Sequence, residues 1–424
     1  MALGRDFWLF RFGQLISVIG DACSNIALAW WILDKTGSAA KMSAVLAPAM
    51  FIQIILTPLA GPIGDRFPRK KLVLVSDIWR GVFTLAIASM VFLDYFNLPL
   101  LIVFYVFLAV GGAIFNSVST SIVPQLVSPD QLPKAMQQTQ AISAAGGVAG
   151  GIAGGLIVSL FGVGGAFLLD AMSFLAAAIA TAFIRANTLP TIGSGMPDSS
   201  WLKSWASQLA AGIRTLTRLR LLLWLSIVSM AMNFVLSPIG VILPVLVKQQ
   251  RNLPPWFLGA LESSVSLGTI IGALMIGKLR SGIATDKIVV IGLCLVGIGI
   301  GGMGWVPTAA LPLVMMLIIG FGVSIAQVPM STSMALAVPD DFRSRITTIR
   351  QFLGMIAAPL GVALAGPMIS RFGLIPTLAA IGVAMFVLSP ALFAVPLFSE
   401  FFKSTPDETR TFLSRHYKGA FKND

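Results

Sequence analysis

The chain repeats itself at an offset of about 211 residues, and the repeated segments are apolar enough to cross a membrane. Residues 155–162 (GLIVSLFG) recur as residues 366–373 (GPMISRFG), and the pair at 129–130 recurs at 339–340. Many secondary transporters consist of two such related bundles with a solute site near the membrane midplane. The repeat therefore predicts two equivalent helical bundles and favours transport of a solute.

Long uncharged runs dominate the composition, since 56% of the 424 residues are hydrophobic and only 11% are charged. A helix of about 20 apolar residues crosses a bilayer, and these runs are too long and too apolar for the strands of a barrel. We therefore predict an all-α membrane protein with twelve transmembrane helices in two pseudo-symmetric six-helix bundles. The predicted spans are residues 7–33, 41–60, 71–94, 98–122, 138–160, 165–184, 220–247, 256–278, 287–306, 311–336, 350–370 and 374–397. The first span is expected to be retained, because no cleavable signal is recognised in it.

The expected organisation is an N-terminal bundle (1–188), a cytoplasmic linker (189–218), a C-terminal bundle (219–398) and a cytoplasmic tail (399–424). Apolar residues recur at helical spacing in the linker and predict an amphipathic helix on the membrane surface. They are Trp201, Trp205, Leu209, Ile213 and Leu216. A tether between the bundles is the simpler role for this segment, and the charged tail is expected to be peripheral.

The formal net charge of +12 has a strongly one-sided distribution. When the N-terminus is placed in the cytoplasm, 24 of the 29 Lys and Arg residues fall on the cytoplasmic side. The remaining five are Lys35, Lys41, Lys248, Arg251 and Arg371. This asymmetry places both termini in the cytoplasm of a cell (inner) membrane protein. The basic excess then reflects topology, and nucleic acid is not expected as a partner.

No cofactor or metal site is expected from the few residues that could form one. Cys23 and Cys294 lie singly within predicted spans, and the only histidine, His416, lies in the tail. No phosphate-binding loop of the G-x-x-x-x-G-K-S/T type occurs, and no nucleophile can pair with a histidine inside the spans. The sequence therefore argues against an enzyme.

Polar residues form matching stripes on symmetry-related spans. The stripe of the first span is Gln14, Ser17, Asp21 and Asn25, and the residues at an offset of 212 are Ser226, Ser229, Asn233 and Ser237. The fourth and tenth spans carry another matched pair, Asn116 and Gln327. Polar groups that face lipid are costly, so these residues are expected to line a central solute cavity. Hydrogen bonding between packed helices is the alternative.

Three acidic residues lie well within predicted spans, where a charge at the bilayer centre costs about 2.5–3.5 kcal/mol. Asp21 is the deepest of them and is the leading candidate for proton coupling, for binding a cationic substrate, or for both. Glu262 is the second candidate for coupling. Asp170 is expected to reach the membrane interface or to pair locally.

The loop after the second span, residues 61–71 (GPIGDRFPRKK), resembles the signature loop of the major facilitator superfamily, G-x-x-x-D-R-x-G-R-K. The matching residues are Gly61, Asp65, Arg66, Arg69 and Lys70, whereas Pro68 stands in place of the usual second glycine. The resemblance implies the fold of that family and a charge cluster that latches the cytoplasmic side, which Asp77 and Arg80 could join. Marking of topology by basic residues is the alternative.

The fifth span resembles the antiporter motif of the same family, G-x-x-x-G-P-x-x-G-G, with glycine in place of proline. Its residues are Gly146, Gly150, Gly151, Gly154 and Gly155. In the family this motif is typical of exporters, although such glycines also serve close helix packing. Residues 12–38 are similar to the branch that contains macrolide efflux pumps and the enterobactin exporter. Many drug–proton antiporters carry an arginine where this chain has Phe107, so coupling is assigned to Asp21 or Glu262.

The expected function is secondary active export of an amphipathic small molecule, such as a drug, a macrolide or a siderophore, by proton-coupled antiport and alternating access. The expected partners are the small-molecule substrate, protons and the lipid bilayer, and a monomer is sufficient. A lipid or lysophospholipid carrier is the alternative. A divalent metal exporter is less favoured, because no histidine lies within the spans.

Overall fold

The structure, a computed structural model, describes residues 3–186, 188, 210, 212–305, 308, 310–417 and 421. Most of the predicted linker helix, including Trp201 and Trp205, lies outside these residues, whereas residues 212–218 are helical. Throughout the described part of the chain the regular structure is helical.

The α-helices are numbered here in chain order. They are α1 Arg5–Thr36, α2 Ala39–Arg66, α3 Arg69–Phe92, α4 Leu98–Leu126, α5 Leu132–Ala182, α6 Arg220–Leu236, α7 Ile239–Val245, α8 Pro255–Gly282, α9 Thr285–Gly302, α10 Ala310–Ala337, α11 Asp340–Met355, α12 Ala358–Phe372, α13 Leu374–Leu388, α14 Phe398–Lys403 and α15 Pro406–His416.

Eleven helical runs of the described chain are long and apolar enough to cross a membrane, and one of them contains two predicted spans. That run, Pro129–Ala182, has 54 residues, about twice the length of one crossing. It is broken at Gly162, where φ is 70° and ψ is −177°. The twelve predicted spans are accounted for in this way, and the protein is a multi-pass all-α membrane protein.

The break at Gly162 has an equivalent in the second half of the repeat. Gly373 separates α12 from α13 with φ of 85° and ψ of 165°. Both positions require a positive φ, which glycine adopts without the steric cost that a Cβ brings. The sequence repeat therefore corresponds to a repeated backbone feature.

The described chain packs as two compact units. Unit 1 comprises Met1–Asp198, Ile239–Ser263 and Val362–Ser370, and unit 2 comprises Ser199–Pro238, Ser264–Gly361 and Arg371–Asp424. One cluster of unit 1 buries Phe7 and Phe10 of α1 against Val118 and Ile122 of α4. Leu221, Leu222 and Leu225 of α6 are fully buried residues of unit 2.

The tail is integrated into unit 2, so the expectation of a peripheral segment is wrong. Phe401 and Phe412 of α14 and α15 are completely buried, and their rings meet edge to face at 5.1 Å. Thr405 and Glu408 form a capping box that begins α15. The apolar residues between the tail's charges recur at helical spacing and bury one face of each short helix.

The glycines of the antiporter motif form two packing faces on α5. Gly146, Gly150 and Gly154 lie against α1, where a Cβ on Gly150 would meet Ala22 at 3.0 Å. Gly151 and Gly155 lie against the start of α8, where a Cβ on Gly155 would meet the backbone of Trp256 at 2.7 Å. Successive glycines on each face are four residues apart, so one helix accepts two neighbours at very short range.

The second half of the repeat reproduces these contacts at equivalent positions. Gly361, the equivalent of Gly150, lies against Phe234, which is the equivalent of Ala22. Gly366, the equivalent of Gly155, lies against the backbone of Ala40 at the start of α2. The repeated small residues thus determine where helices cross in both halves.

Replacing Gly259 of α8 by alanine is expected to lower the melting temperature, because the new methyl group would overlap the carbonyl oxygen of Gly151. Overpacking of this kind costs about 1–3 kcal/mol. Gly277→Ala on the same helix is the matched control, since a methyl group there meets nothing within 4 Å. Thermal unfolding of the purified protein in detergent measures both variants. Equal melting temperatures would contradict the close packing of α5 on α8.

Candidate functional site

Asp21 of the α1 polar stripe belongs to a charged cluster inside unit 1. Its carboxylate lies 3.7 Å from the guanidinium of Arg80 on α3. Arg80 also forms a 2.5 Å ion pair with Asp77, one helical turn earlier on α3. The sequence indicates that Asp77 and Arg80 could join the cytoplasmic latch, and the structure adds a contact between Arg80 and α1.

Two aromatic rings hold the guanidinium of Arg80 in place. Its central carbon lies 4.2 Å from the ring centre of Phe115 and 4.3 Å from that of Phe174. A cation over aromatic faces is stabilised by the ring quadrupoles, most strongly where water is excluded. Arg80 and Asp77 are 6% and 1% exposed, so this ion pair is a buried, fixed charge pair.

Asp170 of α5 adds a third carboxyl group to the cluster. Its carboxylate accepts hydrogen bonds from Ser24 of α1 at 2.5 Å and from Ser173 at 3.2 Å. Gly20 permits this approach, because a Cβ there would overlap the Asp170 carboxylate and the Ser173 hydroxyl. Asp170 is only 1% exposed and pairs locally with these two hydroxyl groups, which is one of the two alternatives expected for it.

The cluster contains more acids than bases. Among the described residues, Arg80 is the one cation within 4 Å of Asp21 and Asp77, with Asp77 as its nearest partner, and no cation lies within 4 Å of Asp170. Uncompensated charge inside a membrane is expensive, so a carboxyl group without its own cation must bind either a proton or a cation. Metal binding has no support in the described chain, where no group of three or more His, Cys, Asp or Glu side chains could hold an ion.

Asp21 is the accessible member of the cluster. Its side chain is 43% exposed, whereas that of Arg80 behind it is 7% exposed. Asn25, one turn further along α1, is exposed and accepts a hydrogen bond of 3.3 Å from the Tyr105 hydroxyl. A solute that reaches α1 therefore meets a carboxylate beside an amide and a phenol.

The remaining residues of the first stripe are placed differently. Gln14 accepts a 2.5 Å hydrogen bond from the Arg11 guanidinium. Ser17 is 3% exposed, so it packs inside unit 1 and is not accessible to a solute. Asn116 of α4, which is also predicted to line the cavity, is exposed.

In unit 2, most of the predicted cavity residues bond to the helix backbone. Ser226 donates to the Leu222 carbonyl at 2.8 Å, and Asn233 donates to the Ser229 carbonyl at 2.9 Å. Ser237 donates to Ala358 of α12 at 2.7 Å, which joins two helices. Ser229 itself is partly exposed and Gln327 of α10 is exposed. Ser237 thus joins two helices, whereas Ser226 and Asn233 bond within their own helix.

Glu262, the second coupling candidate, lies on α8 in unit 1 and is partly buried. The neighbouring Ser263 donates a 2.9 Å hydrogen bond to the Val148 carbonyl on α5. This bond fixes α8 on the glycine face of α5 just where Glu262 is positioned.

The signature loop is organised by its basic residues. Arg69 donates to the Ser121 carbonyl at 2.6 Å, and Lys70 donates to the carbonyls of Ala182 and Ile184 at 2.8 Å and 2.7 Å. Lys70 thereby caps the last carbonyls of α5. Gly61 is half-buried and Arg66 is exposed, whereas the Asp65 side chain lies outside the described part of the structure.

Sequence reasoning missed Ser24 and the two phenylalanines that enclose Arg80, and it did not identify the partners of Asp170. Ser24 lies three residues after Asp21, so its position near the same helix face was visible in the sequence. The approach of α5 and α3 to that face was not, because it depends on helix packing.

Comparison with known families agrees with these features. Residues 11–362 match the Major Facilitator Superfamily. The chain belongs to this family. Macrolide efflux protein A of Streptococcus pyogenes is 22% identical over 87% of this chain and 90% of its own length. Multidrug efflux pump Tap of Mycolicibacterium fortuitum is 24% identical over 92% of this chain and 96% of its own length. The resemblance predicted from residues 12–38 is thereby confirmed.

Solved structures agree on the fold. The nucleoside transporter NupG has a TM-score of 0.71 at 13% identity and covers 94% of this chain and 100% of its own. A peptide transporter bound to alafosfalin has a TM-score of 0.73 at 14% identity and covers 94% of this chain and 96% of its own. The predicted major facilitator fold is confirmed.

Arg80→Gln is expected to destabilise the protein by about 3–5 kcal/mol, because it leaves the carboxylate of Asp77 buried without a partner. The double variant Asp77→Asn/Arg80→Gln should recover much of this loss, since neither charge then remains. Melting temperatures of both proteins, with the single Asp77→Asn variant, complete a double-mutant cycle. Additive effects of the two single substitutions would show that the pair is not coupled.

Proposed function

We propose that this protein is a secondary active exporter of the inner membrane that exchanges protons for an amphipathic small molecule. A drug, a macrolide or a siderophore fits this description. The bundles at residues 1–188 and 219–398 would alternate access to the site, with the linker, the tail and both termini in the cytoplasm. Related bundles of this kind are a common basis for alternating access.

The observation that carries the proposal is the excess of carboxyl groups around Arg80. Asp77 forms the closer ion pair with Arg80, at 2.5 Å. Asp21 has a longer contact of 3.7 Å with Arg80, and its side chain is 43% exposed. A carboxylate in this position can accept a proton or the cationic group of a substrate. Because one site serves both, release of one favours binding of the other, as antiport requires.

The direction of transport is supported by the relatives and by the glycine motif. Both relatives described above are named as efflux proteins, and they align with most of this chain. The motif resembles that of exporters, and its two glycine faces hold α5 against both α1 and α8. Helices that meet through glycine can shift against one another with few side chains in the way.

Contacts at one end of unit 1 provide a gate that such a cycle could open. Lys248 forms a 2.7 Å ion pair with Asp34 and lies 4.8 Å from the ring centre of Trp30. The Gly366 amide donates a 3.0 Å hydrogen bond to Ser43. These polar contacts join α1 and α2 to segments of the second half, at the end that we assign to the outside. The Lys248–Asp34 pair is partly exposed, so breaking it costs little, whereas the Ser43 contact is buried.

Proton entry supplies enough energy for this exchange. Moving one elementary charge down the membrane potential releases about 2.3 kcal/mol per 100 mV. A tenfold concentration gradient of a neutral solute opposes transport by about 1.4 kcal/mol. One proton per substrate is therefore sufficient for modest accumulation outside the cell.

Asp21→Asn is expected to abolish substrate-dependent proton flux, because an amide neither carries a proton nor attracts a cation. Proton flux is measured in everted vesicles with a pH-sensitive dye and a panel of macrolides, lipophilic cations, siderophores and lysolipids. Asp94→Asn is the matched control, since Asp94 is an exposed carboxyl at a positive φ of 50° that asparagine tolerates. Expression and melting temperature should be unchanged in both variants.

The outcomes separate the competing functions. A compound that collapses the gradient with the wild type and the Asp94 variant, but not with Asp21→Asn, identifies the substrate class and the coupling residue together. Unaltered flux in Asp21→Asn would remove Asp21 from the mechanism. A response confined to lysolipids would favour a lipid carrier over a drug exporter.

A further inference from the structure

The proposed mechanism uses Asp21 and leaves a second carboxyl group of the same cluster without a role. Asp170 is 1% exposed and lies within a membrane-spanning segment, where an ionisable group is costly and is generally retained for a function. Among the described residues, no cation lies within 4 Å of its carboxylate. Its neighbours are two hydroxyl groups, Ser24 and Ser173.

The contacts of Asp170 form a route toward Asp21. The Ser24 hydroxyl donates to one oxygen of Asp170, and Ser24 lies one turn from Asp21 on α1. Ser24 is 7% exposed, whereas Asp170 is only 1% exposed. Gly20 has no side chain between the two carboxyl groups, so α1 and α5 can approach closely at this level.

The charged and titratable groups that face Asp170 come from every helix around it. Asp21 and Cys23 belong to α1, and the Arg80–Asp77 pair belongs to α3. Tyr105 of α4 also interacts electrostatically with Asp170. Arg80 already has Asp77 within 2.5 Å and Asp21 within 3.7 Å, so it cannot fully neutralise a third carboxylate.

We infer that Asp170 is a second proton-binding group of the transporter, occluded behind Asp21 and loaded through the hydroxyl of Ser24. This inference rests on the proposed function and deepens it, because it adds a proton to the cycle beyond the one bound at Asp21. Two carboxyl groups, one accessible and one sealed, can then be protonated in sequence on the same side of the membrane.

The proposed proton transfer needs only Ser24, Asp170 and either Asp21 or a water molecule beside it. Ser24 passes its hydroxyl hydrogen to the Asp170 oxygen that it contacts and takes a proton from Asp21, or from water beside it, onto its own oxygen. One O–H bond forms at Asp170 while one at Ser24 breaks and is replaced. No electrons move, and Asp21 returns to the carboxylate form that can accept another proton or a cationic substrate.

A purely structural role for Asp170 makes a different prediction. If the carboxylate only joins α1 to α5, an asparagine would keep one of the two hydroxyl hydrogen bonds through its amide oxygen and could donate from its amide nitrogen to the other hydroxyl. Asp170→Asn would then behave as the wild type in every measurement of protonation. The two roles are therefore separated by counting protons rather than by measuring stability.

The test is infrared difference spectroscopy of the purified full-length protein on acidification, without any substrate. The wild type should gain two carboxylic acid C=O bands from the cluster. Asp170→Asn should lose one of these bands, Asp21→Asn should lose the other, and Asp94→Asn should lose neither. Melting temperatures establish that each variant is folded.

Rates of proton uptake provide a second, matched comparison, in which neither Asp21 nor Asp170 is substituted. Ser24→Ala should slow the appearance of the Asp170 band after a pH jump by about 100-fold, the lower end of what a positioned proton donor contributes. Ser173→Ala removes the other hydroxyl from the same carboxylate and should leave the rate unchanged. Equal rates in both variants would overturn the route through Ser24.

The outcomes also distinguish this inference from the proposed function. A spectrum of Asp170→Asn identical to that of the wild type would overturn the inference alone, provided that the band of Asp21 persists. Absence of both bands in the wild type would overturn proton coupling at the cluster as a whole. Loss of one band in Asp170→Asn and of the other band in Asp21→Asn supports both the inference and the proposed function.

Discussion

The guanidinium of Arg80 is the interaction on which the rest of unit 1 depends. It lies between the rings of Phe115 and Phe174, pairs with Asp77 and reaches Asp21 on another helix. Opposite charges in a low-dielectric interior attract strongly, but only a fixed geometry repays the cost of removing them from water. Because Arg80 cannot neutralise three carboxylates, the remaining negative charge must be balanced by protons or by a bound cation. This requirement links the structure of the cluster to the proposed function.

The glycines are the second requirement, since they let charged groups approach from different helices. Gly20 allows the carboxylate of Asp170 to reach α1, and Gly150 and Gly154 bring α5 onto the same helix. Gly151 carries the contact with α8, close to Glu262. Close contacts between backbones are held by dispersion over short distances and contain few interlocking side chains. The residues that assemble the cluster are therefore also the ones that permit α5 to shift.

The two halves of the repeat have kept the packing and diverged in the polar groups. Gly361 and Gly366 reproduce the contacts of Gly150 and Gly155, and Gly373 reproduces the break at Gly162. Position 233, the equivalent of Asp21, is instead an asparagine that bonds to its own helix. A carboxyl group at this position is therefore confined to the first half of the repeat, although the packing occurs in both halves.

The sequence by itself determined the membrane fold, the twelve spans and the repeat, and it predicted a role for Asp21, because these follow from hydropathy, periodicity and the cost of charge in lipid. It also identified the glycines of α5, whose spacing indicates packing on a helix face.

The tertiary structure decided what each polar residue contacts. The partners of Asp170 are 146 residues away at Ser24 and three away at Ser173. Arg80 meets Asp21 from a different helix, a contact set by how α1, α3 and α5 cross. Local sequence rules specify which residues share a helix face, but contacts between helices depend on packing along the whole chain.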